Sequence, residues 1–422
     1  MARQRRGIAA RRASFGYTQE SFAAAIGVER STVWRWESGD RTPQPDQCSR
    51  IRRLLDLTPT QLNEVLSDAA IEVGPSIVAP SKLDDHPPAP SWDDPDEVWL
   101  RLQELQRSNV GEGEVRVLEE QISRFVAEYE QRGPAELGPP VARLRRQVHQ
   151  LLKESQMLRI SYRLHRVAAK LSGMLGYMAV NTGQFRLANA YCEEALHLAT
   201  EIESSDLQLW VSGTQSFGAY YQCDYRRAYE LAVRGRGLAP SSSQSIRLLS
   251  NGEARALAQL GDRAGAEEAL GRALALLEKH DVVPRLTACI SFEPYGYSRF
   301  AANAATAYVP LGDTRQVLHY TSDIEPEVER SDSDWSRALV RLDIATTLLR
   351  QNDADLEQSL TLAQEALRMC SDRPIRSVWQ RAVTVQSYAQ RWASEPRVKE
   401  FSNQLRAWQQ HAEDQVFPKG AR

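Results

Sequence analysis

Five stretches of this chain repeat one pattern: LGYMAVNTGQFRLANAYCEEALHLA (175–199), QSFGAYYQCDYRRAYELAVRGRGLAP (215–240), EARALAQLGDRAGAEEALGRALALL (253–277), NAATAYVPLGDTRQVLHYTSDI (303–324) and DIATTLLRQNDADLEQSLTLAQEAL (343–367). Each reads as an apolar helix, a short turn such as LGD, and a second helix. With the turns at Gly183, Cys223, Gly261, Gly312 and Asn352, the spacings are 40, 38, 51 and 40 residues. Small residues stand seven places before each turn (Gly176, Ser216, Ala254, Ala305, Ala345). In the first three copies they also stand five after it (Ala188, Ala228, Ala266) and twelve after it (Ala195, Gly235, Ala273). These are the points at which the helices of a hairpin must approach closely. A hairpin that cannot bury its apolar face alone has to stack on its neighbours, so the pattern predicts an all-α solenoid.

The arrangement resembles tetratricopeptide repeats, whose period is about 34 residues, over roughly residues 160–400. The longer period here implies longer helices or loops. The aromatic stretch FEPYGYSRF (292–300) lies within the longest spacing and reads as an insertion, placed as a possible groove rim. Amphipathic helices are predicted near 97–108 and 113–132, with another starting after the GPP at 138–140; they are expected to cap the stack. The basic run Arg143, Arg145, Arg146, His149, Lys153 reads as a solvated helix face, with a second nucleic-acid surface as its alternative.

At 422 residues the chain is too long for one core, and composition divides it into three zones. Residues 1–66 hold 11 Lys+Arg against 7 Asp+Glu, whereas the remainder holds 41 against 48. A basic module before an acidic body suggests a polyanion partner for the first part alone. Residues 67–96, with six prolines and seven acids, read as a linker, and 97–422 as the solenoid domain. No run of 18 apolar residues occurs, so no membrane partner is expected. The start, MARQRRGIAARR, lacks the apolar core of a secretory signal, and five scattered cysteines fit a reducing cytoplasm. No phosphate-binding loop, dinucleotide fingerprint, nucleophile elbow or H-E-x-x-H occurs, so neither an enzyme nor a cofactor or metal site is expected.

In TQESFAAAIGVERSTVWRWESG (18–39), Thr18 is placed to cap a helix that buries Phe22, Ala23 and Ile26. Gly27 supplies a turn that Val28 plugs, and a second helix over roughly 30–37 buries Val33 and Trp36. Arg30, Ser31, Trp34 and Arg35 are left facing outward. Two helices crossing at a tight turn form a helix-turn-helix, the second being shaped for the DNA major groove. From Ile8 to about Leu66, with G-Y-T-Q-E, G-V and W-E-x-G, the segment resembles the Cro/XRE-type helix-turn-helix, a lambda-repressor-like fold. The resemblance implies that Gln19 holds a phosphate, that Arg30, Ser31 and Arg35 face base edges, and that Thr32, Arg41 and Thr42 touch the backbone. It also implies an Arg12–Glu37 pair joining the first helix to the recognition helix. Trp34 stays open between packing on sugar and thymine methyls and buttressing Arg30. Glu29 stands where Ser or Thr often caps the recognition helix; its carboxylate can cap, but repels phosphate. A homodimer on a double-stranded DNA operator is expected.

A helix-turn-helix followed by such repeats resembles the RRNPP-type peptide-sensing regulators of bacteria. The resemblance implies a groove for a signalling peptide or small-molecule effector. Its inner-face candidates are Tyr177, Asn181, Phe217, Tyr220, Tyr221, Asn251, Arg255, Arg299, Asn303 and Arg350. Asparagine amides clamp peptide backbone and arginine holds carboxylate. The same aromatics also suit packing between repeats, and the groove alternatively docks a partner protein or builds the dimer.

Overall fold

The structure is a computed structural model that describes residues 6–67, 102, 109–282 and 286–416. The chain forms two compact units, Met1–Trp92 and Asp93–Arg422. All regular elements among the described residues are helical. The linker at 67–96 and the helix near 97–108 lie outside the described residues, Ser67 and Leu102 apart.

The first unit contains α1 (Arg6–Ser14), α2 (Gln19–Ile26), α3 (Arg30–Glu37), α4 (Pro45–Leu55) and α5 (Pro59–Ser67). Ile8, Phe22, Ala23, Ile26, Val33 and Trp36 meet Ile51, Leu55 and Leu62 in one core. Thr18 caps α2 by accepting from the Ser21 amide at 3.1 Å. Gly27 ends α2 at φ 79°, a left-handed conformation that costs glycine little, and so sets the crossing with α3.

The second unit begins with α6 (Glu112–Leu151), which is broken at Gly133 (φ 79°, ψ 169°). The break therefore falls before Pro134, not at the GPP. Helical geometry is disfavoured before proline and glycine accepts this φ readily, but Gly138 also precedes a proline and stays helical. Gly133 differs in lying against Arg373 and Trp335. Pro139 and Pro140 lie within the helix that follows.

Six helical pairs come next. They are α7 (Leu158–Asn181) with α8 (Phe185–Glu201), α9 (Ser205–Tyr221) with α10 (Tyr225–Gly237), and α11 (245–259) with α12 (Arg263–His280). They continue as α13 (Tyr297–Leu311) with α14 (Thr314–Arg330), α15 (Asp334–Arg350) with α16 (Leu356–Met369), and α17 (Arg376–Ala389) with α18 (Pro396–Val416). The last pair carries no repeat signature in the sequence. In α11 the stretch Leu248–Ala254 is wound as a wider π-type turn.

The turn chemistry is shared by most pairs. Gly183, Cys223, Gly261 and Gly312 all have positive φ (73°, 63°, 82°, 70°). Asp224, Asp262, Asp313 and Asp355 then cap the second helices by accepting backbone amides. The fifth turn, 351–355, is longer, and Asn352 is not in the left-handed region. The small residues set the approach distances. A Cβ on Gly176 would stand 2.8 Å from Cys192 Sγ, and one on Gly235 would stand 2.3 Å from Ser212 Cβ.

The stack closes on itself. α17 packs on α15 and also reaches back to α7 and α9. The end of the first half of α6 takes part as well: Arg373 donates to the carbonyls of Glu130 (3.3 Å) and Gln131 (2.6 Å). The Tyr129 ring lies 5.2 Å from that of Trp335. This end of α6 therefore bridges early and late pairs, in addition to packing on α7. Arg145 also departs from the solvated-face reading, because it is buried and donates to Ser172 at 2.6 Å and to Glu194.

Candidate nucleic-acid interface and effector cleft

The recognition helix α3 separates its two faces cleanly. Val33 and Trp36 are each 1% exposed, whereas Trp34 is 55% exposed and Arg30, Ser31 and Arg35 are open to solvent. Thr32 is half-buried, and Arg41 and Thr42 are exposed. Arg41 N donates to Arg35 O at 3.1 Å, which folds the following loop back onto the helix end. Arg30 makes an ion pair with Glu20 at 3.0 Å, but both side chains are well exposed and such a pair is weak. The Glu29 carboxylate does not cap α3; it accepts from Ser31 Oγ at 3.3 Å.

Glu37 is the polar hub behind this face. It is buried, accepts from Arg12 Nε at 2.7 Å, and accepts from Gln19 Nε2 at 2.6 Å. One N–H of the Gln19 amide is thus engaged by Glu37, and the amide carries a second donor. In the sequence, the tie between α2 and Glu37 gave no signal, because it joins residues 18 positions apart.

In the second unit, the first helix of each pair sends residues to one internal cleft of about 70 Å³. Tyr177 and Asn181 come from α7, Phe217 and Tyr221 from α9, Asn251 and Arg255 from α11, and Arg299 and Asn303 from α13. Tyr220 and Arg350 instead line an adjoining cavity of about 150 Å³, which Arg255 and Tyr221 share. Arg350 is bound to the Val309 and Pro310 carbonyls, so it caps the end of α13.

The cleft is polar and densely bonded. Arg255 is buried and donates to Asn251 Oδ1 (3.1 Å), Asn303 Oδ1 (3.5 Å) and Tyr221 OH (3.1 Å), with its guanidinium 4.1 Å over the Tyr220 ring. It makes no ion pair with a described carboxylate, although Asp343 is near enough to interact with it electrostatically, and its Nε lacks an acceptor. Arg299 donates to the Thr287 carbonyl (2.9 Å) and approaches Glu130 at 3.5 Å. Asn181 donates to Tyr129 OH at 2.8 Å. Tyr177 and Phe217 stack with centroids 5.0 Å apart.

Several cleft residues carried no sequence signal. Glu130 arrives from α6, Trp335 and Asp343 from α15, and Arg381 from α17. Arg381 pairs with Asp343 at 3.1 Å, and Thr306 donates to Asp343 at 2.7 Å. Burial pushes the Asp343 carboxyl above the usual carboxylate range despite Arg381 beside it. The insertion before α13 reaches the cleft, where Tyr295, with Arg299 at the start of α13, forms part of the lining. The insertion also lies against the early pairs, with Trp210 Nε1 donating to Ser291 O at 2.7 Å and Gln244 Nε2 to Phe292 O at 2.7 Å. Burial, with Glu130 adjacent, pushes the Cys289 thiol well up.

A buried helix pair with an exposed, basic second helix defines a helix-turn-helix DNA-binding unit, here joined to an all-helical region of paired helices. Residues 8–62 match the family model described as helix-turn-helix. The chain therefore carries an N-terminal Cro/XRE-type DNA-binding domain, and this supports sequence-specific DNA binding. No curated protein and no solved structure matches the chain. No described helix is long and apolar enough to cross a membrane.

Proposed function

We propose that this chain is a cytoplasmic transcription regulator whose helical-pair unit, of tetratricopeptide type, senses a peptide or small effector and controls a homodimer on its operator. The observation that carries the sensing half is the convergence of first helices on one cleft built around Arg255. A buried guanidinium with an orphaned Nε and no ion pair among the described residues favours an anionic or carbonyl-rich ligand.

A volume of about 70 Å³ holds water, not a peptide, so effector entry requires the stack to open. The contacts that would part are Asn181–Tyr129, Arg299–Glu130 and Arg373–Gln131, which tie α6 to the concave side. Opening would reposition the DNA-binding modules through residues 67–96. Calorimetry of the full chain with fractionated peptides tests this reading: a saturable heat lost in Asn303→Ala and Arg255→Ala supports it. No saturable heat from any fraction overturns it. Deleting the linker without loss of effector response would count against repositioning.

The small, self-filled cleft favours one other reading: a DNA-tethered scaffold whose repeats dock a partner protein without a small ligand. Recovery of one stable protein partner by the full chain, with no small-ligand heat, would favour it.

A further inference from the structure

A second, differently built cavity of about 150 Å³ lies between the turn after α7 and the last helical pair. Thr182 and Gly183 line one side; Arg376, Trp379, Trp408 and Ala412 line the other. Asn181 and Ile375 border both this cavity and the Arg255 cleft, so the two share a wall.

Arg376 sets this cavity apart. The other buried or half-buried arginines described in the unit have acceptors: Arg145 has Glu194, Arg236 has Glu253, Arg373 has Asp334 and Arg381 has Asp343. Arg376 makes no hydrogen bond or ion pair among the described residues. Its guanidinium lies 4.1 Å over the Trp379 ring and 5.9 Å over the Phe185 ring. Its Nε is buried without an acceptor, and so is the indole Nε1 of Trp379. Two orphaned donors on adjacent side chains are rare in a folded chain, where buried donors find partners. Burial also lowers the Arg376 pKa from its usual value. Trp408 presents only its ring, because its Nε1 donates to Leu367 O at 3.1 Å.

We propose that this cavity binds a small monocarboxylate on a planar apolar body, the carboxylate accepting from Arg376 and Trp379 Nε1 and the body resting on the two indoles. A guanidinium fork matches a carboxylate, and a single cation among the described lining residues matches a monoanion better than a phosphate dianion. Because the cavity joins the first pair to the last, its occupant would hold the stack closed. The carboxylate could belong to a free aromatic acid or to the C-terminus of a short peptide.

The test uses the full chain, with calorimetry and tryptophan fluorescence as readouts and no DNA. The probes are benzoate, indole-3-acetate and indole-3-acetamide, together with a tetrapeptide ending in tryptophan as its acid and its amide. An acid is expected to bind saturably, and its amide at least about tenfold more weakly. Arg376→Gln should weaken the acid by a similar factor, and Trp379→Phe should reduce both affinity and fluorescence change. Free acids binding while the peptide acid does not assigns the site to a metabolite; the reverse assigns it to a peptide terminus. Should Arg376→Gln melt lower than the parent, Trp379→Phe and the acid–amide comparison carry the test. Equal binding of acid and amide, or no acid binding into the millimolar range, overturns the proposal. The outcome does not depend on the Arg255 cleft, whose own variants are read separately.

Discussion

Arg12 and Glu37, 25 residues apart, meet at 2.7 Å behind the recognition helix, where Glu37 also takes the Gln19 amide. Three helices are thus pinned to one buried carboxylate. Glu37→Ala leaves the Arg12 guanidinium without its carboxylate and should destabilise the first unit by about 3 kcal/mol, as for other broken buried pairs. Thermal melting of the full chain should show this unit unfolding earlier while the helical-pair unit is unchanged.

The exposed face of α3 should behave in the opposite way. Arg35→Ala and Arg30→Ala should leave melting unaltered, since neither side chain is buried. Each should cost about 1–3 kcal/mol of discrimination at one base pair, if arginine forks read guanine. Binding-site selection with parent and variants checks this; recovery of only A/T-rich sites would contradict it.

Cys223 holds the left-handed turn position that glycine occupies in three other pairs (φ 63°). A side chain there costs about 1–2 kcal/mol, partly offset in a Cys223→Gly variant by the greater freedom of the unfolded chain. Cys223→Gly should stabilise the second unit by about 1 kcal/mol in denaturant titrations. No change, or a loss, would mean that the Gln380 contact to Cys223 Sγ at 3.3 Å outweighs the backbone strain.

Gly235 should tolerate no side chain. Its added Cβ would sit 2.3 Å from Ser212 Cβ, so Gly235→Ala should cost about 1–3 kcal/mol through overpacking. Ser212→Gly in the same chain should recover most of that loss. Additive losses in the double variant would show that Ser212 is not the obstacle.

Much of this was legible in the sequence, because local rules dictated it. Thr18, Gly27 and the spacing of Phe22, Ile26, Val33 and Trp36 specify two crossed helices whatever surrounds them. The glycines at 183, 261 and 312 and the aspartates after the turns specify the hairpins in the same way. The fold class, five of the helical pairs and the cleft-facing side of α7, α9, α11 and α13 follow from such patterns.

What only the tertiary structure decided is how far the stack curls and what that curl brings together. The helix break at Gly133 instead of the GPP, the insertion lying against Trp210, and the meeting of Glu130, Arg299 and Asp343 with Arg381 all depend on closure. Small tilts between successive pairs accumulate along a solenoid, and no single repeat records their sum. Arg376 illustrates the difference: helix spacing alone sets it beside Trp379, one turn on, but only closure brings Phe185 of the first pair against it.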